Sequence, residues 1–121
     1  MTANNEKVVV IGQGYVGLPV AVRAAEAGYD VVGFEIDRHK VELLNAGSSH
    51  VEDIGDDRLS DVLEAGRYLA TSDPADLAAF DVAVVSVPTP MGDGAPDLSY
   101  IESASQSLAP HVRPGCTVIL E

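Results

Sequence analysis

Between Val8 and Ala21 the chain reads V-V-V-I-G-Q-G-Y-V-G-L-P-V-A, an apolar β-branched run, glycines at 12, 14 and 17, then small residues. No other stretch restricts the fold so tightly. A strand that leaves through G-x-G-x-x-G into a helix is the phosphate-binding turn of a dinucleotide site when strand and helix flank it, as they do here. Gly12 permits the tight exit from the strand. Gly14, with no Cβ, lets a pyrophosphate approach the backbone, and Gly17 lets the helix pack closely on the strand. The ligand's charge then sits at a helix N-terminus, where unsatisfied N–H groups and the helix dipole favour an anion. Pro19 falls in the first helical turn, where its missing N–H costs little. Ala21, Ala24, Ala25 and Ala27 keep the helix slim, and Gly28 is placed to end it.

A second run, D-V-V-G-F-E, closes on Glu35, eighteen residues beyond Gly17. An acid there accepts hydrogen bonds from ribose hydroxyls and repels the extra phosphate of NADP, so the expected cofactor is NAD. Asp37 is the competing acid, but it stands where it would N-cap the next helix, and Glu35 is favoured for the ribose. Lys40 and Arg38 lie either near the adenosine or on a solvated helix face.

The rest of the chain alternates β-branched runs with helical stretches, the pattern of a doubly wound parallel α/β sheet of the Rossmann type. Strands are expected at about 7–11, 30–35, 67–71, 81–87 and 116–120, and helices at about 16–27, 38–46, 57–65, 74–79 and 98–109. At 121 residues this is one domain, 1–121. Its last strand is followed at once by Glu121, so the sheet is expected to be the front part of a longer polypeptide, cut after the fifth strand. Two loops stand out, 46–56 and 88–97; the second lies beyond a strand's carboxyl end, where such sheets hold ligands.

The formal charge is −12, from 19 acidic and 7 basic side chains. Such a surface repels phosphate backbones and anionic membranes, so neither nucleic acid nor a membrane is expected as partner. A site for an anionic dinucleotide must then rely on backbone N–H groups. The apolar runs are too short to span a bilayer, and one cysteine excludes an internal disulfide, so cytoplasmic residence is expected. Cys116 opens an apolar strand and reads as a structural thiol. His39, His50 and His111 lack metal-ligand spacing, and no metal is expected. The acids Glu52, Asp53, Asp56, Asp57, Asp61 and Glu64 read as a solvated helix face and N-terminus. Ser99 and Glu102 have capping-box spacing, with Asp97 as a rival cap.

Three segments together resemble the N-terminal domain of the nucleotide-sugar 6-dehydrogenases, the UDP-glucose, GDP-mannose and UDP-N-acetylmannosamine dehydrogenases. They are G-Q-G-Y-V-G-L-P-V-A from Gly12, S-V-P-T-P from Ser86 with P-D-L-S-Y-I from Pro96, and L-N-A-G-S-S-H-V-E-D-I from Leu44. The resemblance implies an NAD-dependent, four-electron oxidation of a sugar C6 alcohol to a carboxylate, through a cysteine adduct. It implies that Gly12, Gly14 and Gly17 contact pyrophosphate, with Tyr15 and Val16 on the turn over the dinucleotide. Glu35 would contact the adenosine ribose, and Val87, Thr89 and Pro90 would line the cleft. No catalytic residue is expected within the chain, because the family's cysteine, lysine and threonine belong further along. The full-length enzyme is expected to be a homodimer. Where many members read E-P-G-L this chain has Glu52-Asp53-Ile54-Gly55, which leaves the sugar open. The alternative is a non-catalytic NAD-binding regulatory domain of a channel or transporter, against which the S-V-P-T-P loop and the 46–56 excursion stand.

Overall fold

The strand β1 (Lys7–Ile11) is buried almost throughout, and its neighbours in the chain are arranged around it. In the computed structural model, which describes residues 6–88 and 90–120, five parallel strands form one sheet. Besides β1 they are β2 (Asp30–Phe34), β3 (Tyr68–Thr71), β4 (Val82–Val85) and β7 (Thr117–Leu120), in the spatial order β3-β2-β1-β4-β7. The doubly wound α/β fold is as expected. Order reverses between β1 and β4, so a crevice opens beyond the carboxyl ends of these two strands. β1 pairs in register on both sides, Val10 lying opposite Gly33 in β2 and Val84 in β4.

Alternation along β1 divides the interior in two. Val8 and Val10 join Leu18, Ala21, Val22 and Ala25 of helix α1 (Gly17–Glu26) and residues of α2 (Arg38–Asn45) and α3 (Asp56–Glu64). Val9 and Ile11 face the other way, onto Phe34, Leu77, Phe80 and Leu108 of α4 (Ser99–Leu108). Full burial of one such aliphatic side chain is worth about 1.5–3 kcal/mol.

Local signals explain most boundaries. Asp37 N-caps α2, its Oδ1 accepting from the N–H groups of His39 and Lys40. Gly28 follows α1 at φ +101°, a left-handed terminator. Asp97, rather than Ser99, supplies the oxygen at the start of α4: Ser99 is already helical, and its N–H donates to Asp97 Oδ1.

Four features differ from expectation. The 74–79 helix is a single 3₁₀ turn, Pro74–Leu77, which gives way to Ala79 at φ 62°. The 88–97 loop contains a small hairpin, β5 (Met91–Gly92) and β6 (Ala95–Pro96), closed by Asp93 and Gly94, both at positive φ. The 46–56 loop is less polar than its composition, because Val51 and Ile54 are buried in the α1 side of the core. Finally, all four residues of β7 are exposed, where the sequence suggested a strand covered on both faces.

Candidate functional site

The crevice is a cleft of about 530 Å³ beyond the ends of β1, β2 and β4. Its floor is the turn Gly12–Val16; Glu35, Ile36, Asp37 and Lys40 form one wall, and Ser86, Val87 and Pro88 another. The opposite wall is α4, through Tyr100, Ser103, Ala104 and Ser107.

The three glycines serve different ends. Gly12 has φ +95°, and a Cβ there would collide with the Ser86 carbonyl oxygen. A Cβ on Gly17 would land on the Gly12 carbonyl oxygen, so the helix start is packed directly against the strand exit. Gly14 is different: a Cβ there would meet nothing within 4 Å. Its missing side chain serves the open space of the cleft and not the packing of the protein.

The start of α1 carries no side-chain cap: its N-cap residue Val16 makes no such bond, and no acid lies in the first turn. By contrast α2 and the 3₁₀ turn are capped by Asp37 and Asp73. Of the N–H groups that open a helix, Pro19 has none and that of Leu18 donates to Gly14 O at 3.1 Å. The Val16 N–H, on the cleft floor, has no backbone acceptor among the described residues and is left for an anion. That is the fit expected of a pyrophosphate site, with Gly14 giving the clearance.

Glu35 projects from the end of β2, which stops at Phe34, while the Glu35 N–H still donates to Thr71 O at 2.9 Å. Its carboxylate accepts from the Gln13 N–H (3.1 Å, Oε1) and the Asp37 N–H (3.0 Å, Oε2). Each oxygen keeps acceptor capacity for a hydroxyl. Among the described residues Lys40 is the one basic side chain in the cleft wall.

Of the residues expected in the site, Gly12, Gly14, Tyr15, Val16, Glu35, Lys40 and Val87 are brought together around the cleft. Gly17 lies behind the floor, in contact with Gly12. Pro90 is not in the lining; its carbonyl accepts from the Asp97 N–H at the base of the hairpin. Thr89 lies outside the described residues.

Sequence reasoning missed Gln13, which fills the x of the glycine motif. It is fully buried. Its Nε2 donates to the carbonyls of Val10 and Gly12, and its Oε1 accepts from the Tyr68 hydroxyl at 2.7 Å. Burial, followed by the nearby Glu35 charge, pushes the Tyr68 hydroxyl well above the ordinary tyrosine range. His50 was set aside as a metal ligand, and its Nε2 instead lies 2.6 Å from the Gln13 carbonyl oxygen. The α4 wall was also missed, although Tyr100, Ser103, Ala104 and Ser107 follow helical spacing.

Among the described residues no cluster of His, Cys, Asp and Glu is arranged to hold a metal ion. No helix among them is long and apolar enough to cross a membrane. Cys116 is half-buried beside the second core.

The UDP-glucose/GDP-mannose dehydrogenase family, NAD binding domain, matches residues 6–121. A UDP-N-acetyl-D-mannosamine dehydrogenase from Pyrococcus horikoshii is 39% identical over 116 residues, covering 95% of this chain and 28% of that protein. The solved structure of the UDP-D-ManNAc dehydrogenase from the same organism superposes with a TM-score of 0.90 at 38% identity, over 95% of this chain and 28% of that one. A GDP-mannose dehydrogenase from Pseudomonas aeruginosa, solved as a ternary complex, gives a TM-score of 0.84 at 28% identity, over 93% of this chain and 27% of that one. The chain therefore spans a little over a quarter of the proteins it matches. These relatives lend nothing to the reading as a channel or transporter domain.

Proposed function

The chain belongs to the UDP-glucose/GDP-mannose dehydrogenase family as an NAD-binding domain, and from that premise we propose which residues hold the cofactor and which reaction the whole protein serves. The Gly14 N–H and the uncapped start of α1 take the pyrophosphate. Gly12 and Gly17 shape that turn without touching the ligand through side chains. Glu35 accepts from the ribose hydroxyls, and its charge, with Asp37 beside it, repels the 2′-phosphate of NADP. Tyr15, Val16 and Val87 cover the dinucleotide, and Lys40 offsets part of its charge at the rim.

The observation that carries this reading is the conjunction at one cleft of an uncapped helix start, a glycine whose absent side chain leaves open space, and a carboxylate at the end of β2. When bound, NAD supplies a nicotinamide carbon that accepts hydride. This chain's own residues bind, orient and shield the dinucleotide. We assign no acid, base or nucleophile to them.

For the whole protein, the reading is an NAD-dependent oxidation of a nucleotide sugar at its C6 alcohol to a carboxylate, with residues 1–121 as the N-terminal cofactor domain. The relatives' names support the substrate class, and the share of their length that this chain matches supports the domain assignment. A homodimer resident in the cytoplasm is part of the same reading.

Calorimetric titration of the chain with NAD and NADP tests the cofactor half. NAD binds more tightly, and Glu35→Ala weakens it by about 1–3 kcal/mol, the scale of hydrogen-bond partners left unmatched. Equal affinity for NADP would remove the role given to Glu35. For the substrate half, the whole protein is incubated with NAD and a panel of nucleotide sugars, and NADH is followed by absorbance. Two NADH per sugar supports the reading, and no NADH with any of them defeats it.

A further inference from the structure

We propose that His50, from the loop between α2 and α3, is a positioning residue for the cofactor's diphosphate, acting by fixing the orientation of the Gln13–Gly14 peptide. The inference rests on the NAD reading given above. Its starting point is that every polar group of Gln13 is held by the protein. The side-chain amide is held by Val10, Gly12 and Tyr68, and the backbone N–H by Glu35 Oε1. The backbone carbonyl is held by His50 Nε2 at 2.6 Å, a contact reaching across 37 residues of sequence.

A carbonyl oxygen only accepts, so in this contact Nε2 carries the hydrogen. The other ring nitrogen, Nδ1, is buried and has no hydrogen-bond partner among the described residues. His50 is therefore held to the protein's polar network through this one bond. Its neighbours serve to deliver it. Ser49 is anchored by its N–H to Asp56 Oδ1 at 2.8 Å, and Val51 is buried in the α1 side of the core.

The consequence for the cleft follows from peptide geometry. The chain has no cis peptide bond among the described residues, and in a trans peptide the C=O and the following N–H point in opposite directions. His50 holds the Gln13 C=O from behind the turn and is not part of the cleft lining, whereas Gly14 is. The Gly14 N–H is thus turned away from His50 and toward the cleft, where no described protein group accepts it. Without the imidazole, this peptide's own C=O and N–H have no hydrogen bond among the described residues, although its neighbours on either side remain held, and glycine at 14 makes its rotation easier. An N–H aimed in advance at an anion spares the cost of ordering it on binding.

The test titrates the chain and two variants with NAD, ADP-ribose and adenosine, the last lacking the diphosphate. His50→Phe keeps a planar aromatic ring, slightly larger, and removes the donor; His50→Gln offers an N–H donor at about the reach of Nε2. His50→Phe should weaken NAD and ADP-ribose by roughly tenfold, the effect of one hydrogen bond, leave adenosine unchanged, and be largely rescued in His50→Gln. Equal weakening of all three ligands, or no change in NAD, overturns the proposal. Should the parent chain bind no NAD, the reading of the cofactor falls first and this inference with it. A measurement on the unaltered chain does not depend on any variant folding. Long-range ¹⁵N–¹H NMR must find the His50 hydrogen on Nε2, and NAD must displace the Gly14 amide resonance. A hydrogen on Nδ1 alone, or an unmoved Gly14 amide in the bound state, overturns it.

Discussion

The Tyr68 hydroxyl donates to Gln13 Oε1 at 2.7 Å, joining an edge strand to the glycine turn through 55 residues of sequence. Gly33 lies between them: a Cβ there would run into the Gln13 amide and come within 2.7 Å of the Tyr68 oxygen. The strand interior is thus occupied by a buried polar pair, and glycine is what makes room for it. Tyr68→Phe leaves Gln13 Oε1 buried and unpaired, and we expect a loss of about 1–3 kcal/mol. Gly33→Ala overpacks the same place, at a cost of about 1–3 kcal/mol. Urea denaturation reads both. A stability equal to the parent in Tyr68→Phe would show that the pair contributes nothing.

The same tyrosine sets an alkaline limit. Its folded pKa is raised by burial and then by the Glu35 charge. A group raised in this way contributes stability that is fully present below its unfolded value of about 10 and lost as pH rises toward the folded one. Denaturation midpoints measured upward from about pH 9 should fall, and the fall should flatten in Tyr68→Phe.

The three glycines should separate stability from binding. Gly12→Ala and Gly17→Ala place a Cβ against backbone carbonyls, which cannot withdraw as a flexible side chain could, and both should destabilise by more than about 2 kcal/mol. Gly14→Ala has no such clash. It should stay within about 0.5 kcal/mol of the parent in urea while binding NAD at least tenfold more weakly in calorimetry. Undiminished NAD binding in Gly14→Ala would contradict the diphosphate placement.

Acid should act at the opposite end of the sheet. Asp81 Oδ2 accepts from the Lys7 N–H at 2.8 Å and Oδ1 from Arg113 Nη2 at 2.8 Å. The Lys7 backbone bond first, and the Arg113 bond second, hold its carboxyl below the usual range. A depressed folded pKa contributes stability above the unfolded value of about 3.9, lost as pH falls through the folded value. Urea midpoints should therefore drop below about pH 4, and less steeply in Asp81→Asn. Because this carboxylate is solvent-exposed, added salt should weaken the Arg113 part of the effect.

Asn45 protects the edge of β3. Its Nδ2 donates to Ala70 O at 2.8 Å and its Oδ1 accepts from the Ala70 N–H at 3.0 Å, as a neighbouring strand would. Asn45→Ala should cost about 1–3 kcal/mol, for two bonds of about 0.5–1.5 kcal/mol each. It should also promote association at high concentration, seen by sedimentation, because the bared groups are free to pair with another chain.

What could be read from the sequence was what local chemistry decides. The glycine spacing, the cap at Asp37 and the stop at Gly28 each depend on residues within a few positions, and each is seen in the fold. The Asp93-Gly94 turn carried the same kind of signal, but strands of two residues left no alternation to reveal the hairpin. The partners of Gln13 were not legible, because Tyr68 and His50 reach it only after the sheet and the 46–56 loop have formed. Gly33, in the middle of an otherwise good strand, was the available hint that something large lies against it. The α4 wall was hidden for another reason: serines at helical spacing read as solvated surface until a cleft is known to face them.

Alternation in β1 has an implication for how such a chain can change over generations. Val8 and Val10 serve one core, Val9 and Ile11 the other, and Gly12 follows without a spacer. Substitutions here are a matter of shape and volume. A gain or loss of one residue would invert both cores and carry the turn away from the Ser86 carbonyl against which it is built. β1 therefore acts as a ruler whose composition can drift while its length cannot. The exposed hairpin at 91–96 is the place where insertions can accumulate without disturbing either core.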